Sequence, residues 1–265
     1  MHGKELVIAP PFNTQLGVEV KVANVDTDSY GTFTGDVPRT LSPRMTAIAK
    51  ARAGMTYTNL PLGIANEGTI GPDPAIPFLI TDYEIMAFID DDLGFELVEV
   101  TRSTGVIAVQ STFTVDDDLT EFLITADFPR HGLIVRPSGG PLEPIVKGIV
   151  DLTRLRTAIK ECAKDTGRVK IESDLRALHS PSRMAAIGRC ADQLTQRLAT
   201  QCPACSAPGW GKTENVLGVP CRMCNTLVTT QIRAERYGCV LCTEVLDVPR
   251  VNQFVEPQWC PSCNP

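Results

Sequence analysis

The chain has 265 residues, of which 43% are hydrophobic and 21% charged, with a formal net charge of −6 at pH 7. This composition supports a sizeable folded core and excludes a disordered chain, and the net negative charge argues against a general nucleic-acid coat that must neutralise phosphates. No run of about 18 apolar residues occurs and no basic, apolar leader opens the sequence, so we expect a cytoplasmic protein with no membrane partner.

The first half of the chain predicts helices and strands in alternation. A helix is expected over residues 4–16, although adjacent prolines interrupt it, and residues 18–23 alternate as a strand. A serine followed by a proline at 42–43 is typical of a helix start, and this helix should run to about residue 55. The later pattern predicts strands over 62–65, 77–81, 84–89 and 95–100, with further β-rich sequence over 106–135.

After a loop at 136–144, the pattern predicts a helix over 152–165, a strand over 169–172 and a second helix that starts at Ser180 and Pro181. We therefore expect an α/β fold: a mixed-sheet, three-layer domain over residues 1–200, followed by a small double zinc-ribbon module over residues 201–265.

Eight of the ten cysteines form four Cys-x-x-Cys pairs in the last 65 residues. The pairs are separated by 15, 14 and 17 residues, which is the spacing of zinc knuckles joined by short hairpins. A disulfide framework would need an oxidising compartment, and a redox pair would explain one Cys-x-x-Cys but not four. The predicted ligands of two structural Zn²⁺ ions are Cys202, Cys205, Cys221, Cys224, Cys239, Cys242, Cys260 and Cys263.

The pairing of these turns stays open between two arrangements. The second and third turns could form one ribbon and leave the first and fourth to share the other ion, or the turns could pair in sequence, first with second and third with fourth. With four thiolates each, both sites would be closed and therefore structural. Cys162 and Cys190 fall on apolar faces of predicted helices, where buried packing is the better interpretation.

Two polar clusters near the N-terminus could carry chemistry. His2 and Lys4 precede a predicted helix, whose first N–H groups together with a lysine can bind phosphate; mobile terminal residues are the alternative. Carboxylates near hydroxyls and glycines suit Mg²⁺ or polyphosphate contacts, although an ordinary turn is equally consistent with the residue types. The residues of this second cluster are Asp26, Asp28, Thr32, Thr34 and Asp36.

A third cluster combines distant parts of the chain. Glu67 directly follows a predicted apolar strand, which is where α/β folds place working carboxylates. Asp174, Arg176 and Arg183 follow a second strand and could extend the same site. A structural salt bridge among these three residues is the alternative.

The order of several N-terminal motifs resembles the inosine/xanthosine triphosphate pyrophosphatase superfamily. The motifs are His-Gly-Lys at 2–4, Lys-Ala at 50–51 and Ile-Ala-Asn-Glu-Gly at 64–68. The resemblance implies that Lys4 contacts phosphate, that Glu67 helps to hold Mg²⁺, and that Asp26, Asp28 and Asp36 are metal-binding or basic carboxylates. The asparagine of the superfamily is His2 here, and its purine-reading Ser-His-Arg segment is not evident.

The whole chain is also similar to a bacterial family of unknown function. The shared segments are MHGKE, GTFTG, NEG, SDLRALHSPSRM and CPSCNP, in that order. Members of that family have a strand before the His-Gly-Lys-Glu loop, so this resemblance implies that the first strand of the domain is missing here, as it would be if the start had been assigned too late.

Two functions follow from these observations. The first is a Mg²⁺-dependent hydrolase of a nucleotide-like phosphorylated substrate, with catalytic Glu67, Asp26 and Asp28, and substrate-binding His2, Lys4, Thr32, Thr34, Asp174, Arg176 and Arg183. The second is a non-enzymatic binding protein whose zinc ribbons contact protein or nucleic acid, although the tail, with five basic and five acidic residues, has no net charge to attract phosphates.

Overall fold

The computed structural model describes residues 3–31, 37–139, 143–251 and 253–265. It confirms the mixed α/β class, with five α-helices and three sheets in this part of the chain. The chain divides into two compact units: unit 1 comprises residues 1–92 and 98–194, and unit 2 comprises residues 93–97 and 195–265. None of the described helices is long and apolar enough to cross a bilayer.

The chain begins with helix α1 (Glu5–Leu16), which accommodates Pro10 and Pro11 without a break and ends at Gly17 in the left-handed conformation. The buried face of α1 carries Ile8 and Phe12, so packing stabilises a helix whose prolines remove two backbone donors. The prediction of a strand over 18–23 is wrong. This described segment pairs with no strand and instead lines a cavity described below.

Helix α2 (Pro43–Thr58) packs on a three-stranded sheet in the order β1 (Leu62–Pro72), β2 (Ile80–Asp90) and β3 (Phe95–Ser103). Ser42 caps α2, since its hydroxyl accepts the N–H of Met45 at 3.3 Å. Ala47, Ala51 and Met55 of α2 are buried, and small residues at this spacing let the helix approach the sheet closely. The predicted strand 84–89 and only the last two residues of the predicted strand 77–81 belong to one strand, β2, which pairs antiparallel with β1 along its whole length.

The other sheet of unit 1 has four strands in the order β4, β7, β5, β6, and its pairings are antiparallel. Their bounds are β4 (Gln110–Thr114), β5 (Leu133–Pro137), β6 (Val146–Ile149) and β7 (Arg168–Ser173). Helix α4 (Leu152–Cys162) covers this sheet with Leu155 and Ile159, which share one buried cluster with residues of β5, β6 and β7. The short helix α3 (Thr120–Thr125) lies within the segment for which only β structure was expected.

Helix α5 (Pro181–Ala199) follows Ser180 as predicted and runs from unit 1 into unit 2. In unit 1 its residues Ile187, Cys190, Ala191 and Leu194 are fully buried. The thiol of Cys190 lies 3.4 Å from the carbonyl oxygen of Glu84, and that of Cys162 lies 3.3 Å from the carbonyl oxygen of Pro144. Both cysteines are therefore buried packing residues, as expected.

Unit 2 contains a three-stranded antiparallel sheet in the order β10 (Val245–Pro249), β9 (Leu227–Gly238) and β8 (Gly211–Pro220). Its apolar cluster is small and joins Val219, Val228 and Val255 with two cysteines, Cys221 and Cys260. A cluster of this size buries little surface, and small domains with such clusters usually need additional cross-links to be stable.

Candidate functional site: a cationic pocket and two cysteine tetrads

A cavity of unit 1, with a volume of about 600 Å³, lies among α1, the extended segment after it, α2 and β1. One part of its lining is apolar and includes Ile8, Phe12, Met55 and Phe88. The charged residues of the lining are six basic side chains, Lys4, Lys21, Lys50, Lys147, Arg176 and Arg183, and four acidic ones, Glu5, Glu19, Asp28 and Glu67. The cavity thus combines an apolar wall with a charged wall on which basic residues are in excess.

Lys4 reaches the centre of this charged wall from the residue before α1. Its ammonium group donates to the side-chain oxygen of Asn66 at 2.9 Å and to the carbonyl oxygen of the same residue at 3.3 Å. Burial, and after it the nearby Arg183 guanidinium, lower the pKa of Lys4 from its ordinary value to about 8. Lys4 therefore remains mostly protonated at neutral pH while its hydrogen bonds go to a neutral residue.

Asn66 connects Lys4 to a buried ion pair. Its amide nitrogen donates to Glu84 Oε2 at 2.8 Å, and Glu84 Oε1 accepts Arg183 Nε at 2.6 Å. Arg183 also donates to the carbonyl oxygen of Leu175 at 2.8 Å. Because every member of this chain is held by another, the position of Lys4 and Arg183 at the cavity is fixed before any ligand binds.

Gly68 leaves room for this arrangement, because a Cβ atom at that position would lie 2.5 Å from Arg183 Nη2 and 2.7 Å from Glu84 Oε1. A side chain there would displace the ends of the buried arginine and glutamate side chains.

Glu67 lies in the middle of β1 and not at the end of a strand, so the prediction of its position was wrong. The antiparallel β1–β2 pair continues through the Asn-Glu-Gly segment that was expected to be a loop. The Glu67 carboxylate is 97% buried and lies 2.7 Å from Lys50 Nζ and 2.9 Å from Arg39 Nη2. Glu67 is thus paired with two cations and orients Lys50 toward the cavity.

The two aspartates of the second predicted cluster form a local turn. The side chain of Asp26 accepts the N–H of Asp28 at 3.1 Å and begins a short 3₁₀ turn over Asp28–Tyr30. Both residues are exposed, and of the two only Asp28 lines the cavity. His2, Thr32, Thr34 and Asp36 lie outside the described residues.

Asp174 and Arg176 form the ion pair that was considered as the structural alternative, with Arg176 Nη2 at 2.6 Å from Asp174 Oδ2. The same carboxylate oxygen accepts the N–H of Gly148 at 2.9 Å, which ties β6 to the loop after β7. Arg183 does not join this pair but binds Glu84. Asp174 therefore positions Arg176 at the cavity, and it is not itself part of the lining.

Sequence reasoning missed Glu84, Lys147 and Arg39. Glu84 had a usable signal, since Asp82 and Glu84 are acidic residues on the same face of a largely apolar strand, and both are fully buried. Such residues are seldom buried without a partner. Arg39 carried no comparable signal because it lies in a polar segment where a basic residue is ordinary, and Lys147 is a single basic residue in a short apolar strand.

The cysteines of unit 2 form two tetrads. One consists of Cys202, Cys205, Cys239 and Cys242, and the other of Cys221, Cys224, Cys260 and Cys263, with the sulfur atoms of each tetrad within 4.8 Å of one another. The first turn thus joins the third and the second joins the fourth, so both pairings considered from the sequence are wrong. Across the part of the chain that the structure describes, no other group of three or more Cys, His, Asp or Glu side chains converges in this way.

The first two turns share one backbone geometry. In each, the residue after the second cysteine has a positive φ, +60° at Ser206 and +57° at Asn225. Its N–H bonds the carbonyl oxygen of the first cysteine at 2.9 and 3.0 Å, respectively. This tight turn directs both sulfurs of a pair to the same side.

A model of the family described as "Domain of unknown function (DUF6671)" matches residues 50–265. No curated protein and no solved structure matches the chain.

Proposed function

Since this chain belongs to the DUF6671 family, whose description names no activity, we propose from its geometry that unit 1 binds a phosphorylated, nucleotide-like small molecule in its cavity and that two Zn²⁺ ions hold unit 2 together. The observation that carries the ligand proposal is the Lys4 ammonium group, which faces a cavity of about 600 Å³ and is hydrogen-bonded to the neutral Asn66. The protonated lysine retains donor capacity for an anion.

The charged wall favours phosphate over a single carboxylate. Lysine and arginine side chains from separate segments can surround a multiply charged group, and charge-assisted hydrogen bonds to phosphate are stronger than neutral ones. Glu67, Glu84 and Asp174 each hold one of the cavity cations in place. Such preorganisation reduces the entropy lost when a ligand is bound.

The apolar wall indicates that the ligand also has an apolar part. Phe12 and Phe88 have ring centroids 6.2 Å apart, and both line the cavity with Ile8 and Met55. A volume of about 600 Å³ is typical of a site for a cofactor-sized molecule. A nucleoside phosphate, with a flat ring at one end and an anion at the other, matches this division.

Binding is better supported than Mg²⁺-dependent hydrolysis. Both oxygens of the Glu67 carboxylate face cations, and Asp26 does not line the cavity, so the proposed catalytic carboxylates do not converge on a common point among the described residues. Hydrolysis of the bound molecule is still measured in the same experiment, because Asp28 lines the cavity.

The zinc proposal rests on the separation of the sulfurs. In a tetrahedral site with a Zn–S distance of about 2.3 Å, two sulfurs are about 3.8 Å apart. The Cys202–Cys242 and Cys205–Cys239 sulfur separations are 3.7 and 3.6 Å, and those of Cys221–Cys263 and Cys224–Cys260 are 3.8 and 3.6 Å. Four thiolates in this geometry favour zinc and leave no position for a reacting water.

The test is a calorimetric titration of the zinc-loaded full chain with pyrophosphate and with nucleoside mono- and triphosphates, with and without Mg²⁺, in parallel with an assay for phosphate release. Replacing Lys4→Met should weaken binding by roughly 10- to 100-fold, the effect of one lost charge-assisted hydrogen bond. Binding to the unsubstituted protein should also weaken as pH rises through about 8, where Lys4 loses its proton, and this dependence should vanish in Lys4→Met.

Lys160→Met is the matched control, because Lys160 is an exposed lysine on α4 that does not line the cavity. It should bind every ligand as the unsubstituted chain does. If no phosphorylated ligand binds, or if Lys4→Met binds as tightly as the control, the ligand proposal is wrong. Phosphate release that requires Mg²⁺ would add turnover to binding.

The alternative, a binding protein that uses its zinc ribbons to contact protein or nucleic acid, is favoured by one observation. A groove on unit 2 with a volume of about 770 Å³ is lined by Val251, Phe254 and Trp259, which are all exposed. Exposed aromatic residues of this kind occur at protein interfaces and can also stack on bases. A short RNA and a DNA duplex therefore join the titration, and salt-sensitive binding to either that persists in Lys4→Met would favour this alternative.

A further inference from the structure

Three polar residues of unit 1 that do not line the cavity form a hydrogen-bonded series. His131 Nδ1 lies 2.8 Å from Asp127 Oδ2, and His131 Nε2 lies 3.0 Å from Ser182 Oγ. An acid, an imidazole and a hydroxyl in this order and at these distances are the arrangement that activates a serine for nucleophilic attack.

The surrounding donors determine where the protons lie. Asp127 accepts a hydrogen bond, so the imidazole proton is on Nδ1 and Nε2 carries the lone pair. Ser182 Oγ accepts the N–H of Ile107 at 3.2 Å and lies 3.0 Å from His131 Nε2 and 3.5 Å from Ser180 Oγ. The main-chain N–H of Ser182 donates to the same His131 Nε2 at 3.1 Å, so the hydroxyl proton shares the lone pair of this nitrogen with a backbone donor that holds the ring at the start of α5.

Burial differs among the three residues. The imidazole of His131 is 2% exposed, whereas Ser182 is half-buried. Asp127 is held in a left-handed backbone conformation with φ +51°, and Arg130 lies 3.7 Å from its carboxylate. A strained backbone at a residue that orients an imidazole is a feature often found at functional sites.

The position of Ser182 also favours stabilisation of a developing negative charge. Ser182 is the second residue of α5, a helix of 19 residues, so the partial positive charge of the helix N-terminus is centred close to its hydroxyl. The hydroxyl, the buried base and this helix terminus together provide the parts of an acyl-transfer site.

We propose that Ser182 is a nucleophile toward acyl groups of the ester or thioester class, with His131 as its base and Asp127 as the residue that positions His131. Ser182 Oγ forms a bond to the carbonyl carbon while its proton moves to His131 Nε2. The bond from that carbon to the leaving oxygen or sulfur then breaks, and the leaving group takes the proton from His131. Water releases the acyl group by the reverse proton transfers.

The test uses the zinc-loaded full chain with a fluorophosphonate probe, in which the serine oxygen displaces fluoride from phosphorus, and with p-nitrophenyl acetate as an acyl donor. Mass spectrometry of the treated protein should place a single adduct on Ser182. Ser182→Ala should abolish the adduct, and Asp127→Asn should slow its formation by about 100-fold or more, since the imidazole would lose the partner that fixes its tautomer.

Asp127→Asn is the informative variant because Asp127 is 38% exposed and its replacement keeps the shape of the side chain. Its melting temperature should stay close to that of the unsubstituted protein. Ser111→Ala, at an exposed serine of β4, should label and melt normally. An unlabelled Ser182, labelling spread over other serines, or an unchanged rate in Asp127→Asn would each show that His131 only caps α5 and would overturn the proposal.

Discussion

At the scale of single residues, the buried acids of β2 set the electrostatics of unit 1. Asp82 and Glu84 lie on the same face of the strand and are both fully buried. Glu84 is stabilised as an anion by Arg183 and Asn66. Burial raises the pKa of Asp82 to about 7, with a further contribution from the negative charge of Glu84. Asp82 is thus neutral in weak acid and becomes a buried charge at higher pH.

This difference predicts how stability depends on pH. An unfolded aspartate titrates near 3.9, whereas folded Asp82 titrates at about 7, so the unfolded chain releases this proton first and stability falls as pH rises between those values. Asp82→Asn cannot ionise, so its stability relative to the unsubstituted chain should rise over the same range by up to about 1.4 kcal/mol per pH unit. Urea unfolding at pH 5, 6 and 7 measures the difference.

Asp91→Asn, at an aspartate on the exposed turn after β2, serves as the control and should not change the slope between pH 5 and 7. If Asp82→Asn follows the same pH dependence as the unsubstituted chain, Asp82 is not the group that titrates.

At the scale of elements, local signals in the sequence are reliable where the determinants are local. Ser42 with Pro43, and Ser180 with Pro181, each mark the start of a helix, because capping involves residues within one turn. The prediction of a strand over 18–23 was wrong for the opposite reason. Its alternation is typical of a strand, but a strand also needs a neighbour to pair with, and the described chain places none beside it.

The cap of α4 gives an element-scale prediction. Asp151 accepts the N–H of Arg154 at 2.7 Å, which satisfies one of the four free donors at the helix start. Asp151→Ala should lower the free energy of unfolding of unit 1 by about 1 kcal/mol, within a range of roughly 0.5–2 kcal/mol. Asp151→Asn retains an accepting oxygen and should lower the free energy of unfolding by only a few tenths of a kcal/mol. Hydrogen exchange of the α4 amides measures both, and equal protection in all three proteins would contradict the role of the cap.

At the scale of the whole molecule, the contacts that form the candidate site join distant segments. Lys4 and Asn66 are separated by 62 positions, and Glu84 and Arg183 by 99. The sequence shows that these side chains are polar, and several of them were predicted to act together. It does not show which strand pairing and register bring them into contact. The same applies to the cysteines, whose spacing identifies them as ligands and leaves their pairing undetermined.

If each tetrad binds zinc as proposed, the interleaved order of the tetrads predicts that the two sites depend on each other. The chain that closes the first site, from Cys205 to Cys239, contains Cys221 and Cys224 of the second site. Cys205→Ser should remove the first ion and leave this chain less restrained, so the second ion should also be lost to a chelator more readily. We expect about a tenfold faster release, equivalent to lowering the barrier to release by ~1.4 kcal/mol.

Elemental analysis and chelator-release kinetics test this dependence in the full chain. The unsubstituted protein and Cys162→Ala, a buried cysteine outside both tetrads, should each carry two zinc ions that leave slowly. Cys224→Ser is the reciprocal variant and should likewise speed the release of the first ion. If the remaining ion leaves either variant at the rate of the unsubstituted chain, the two tetrads are independent modules despite the interleaved order of their ligands.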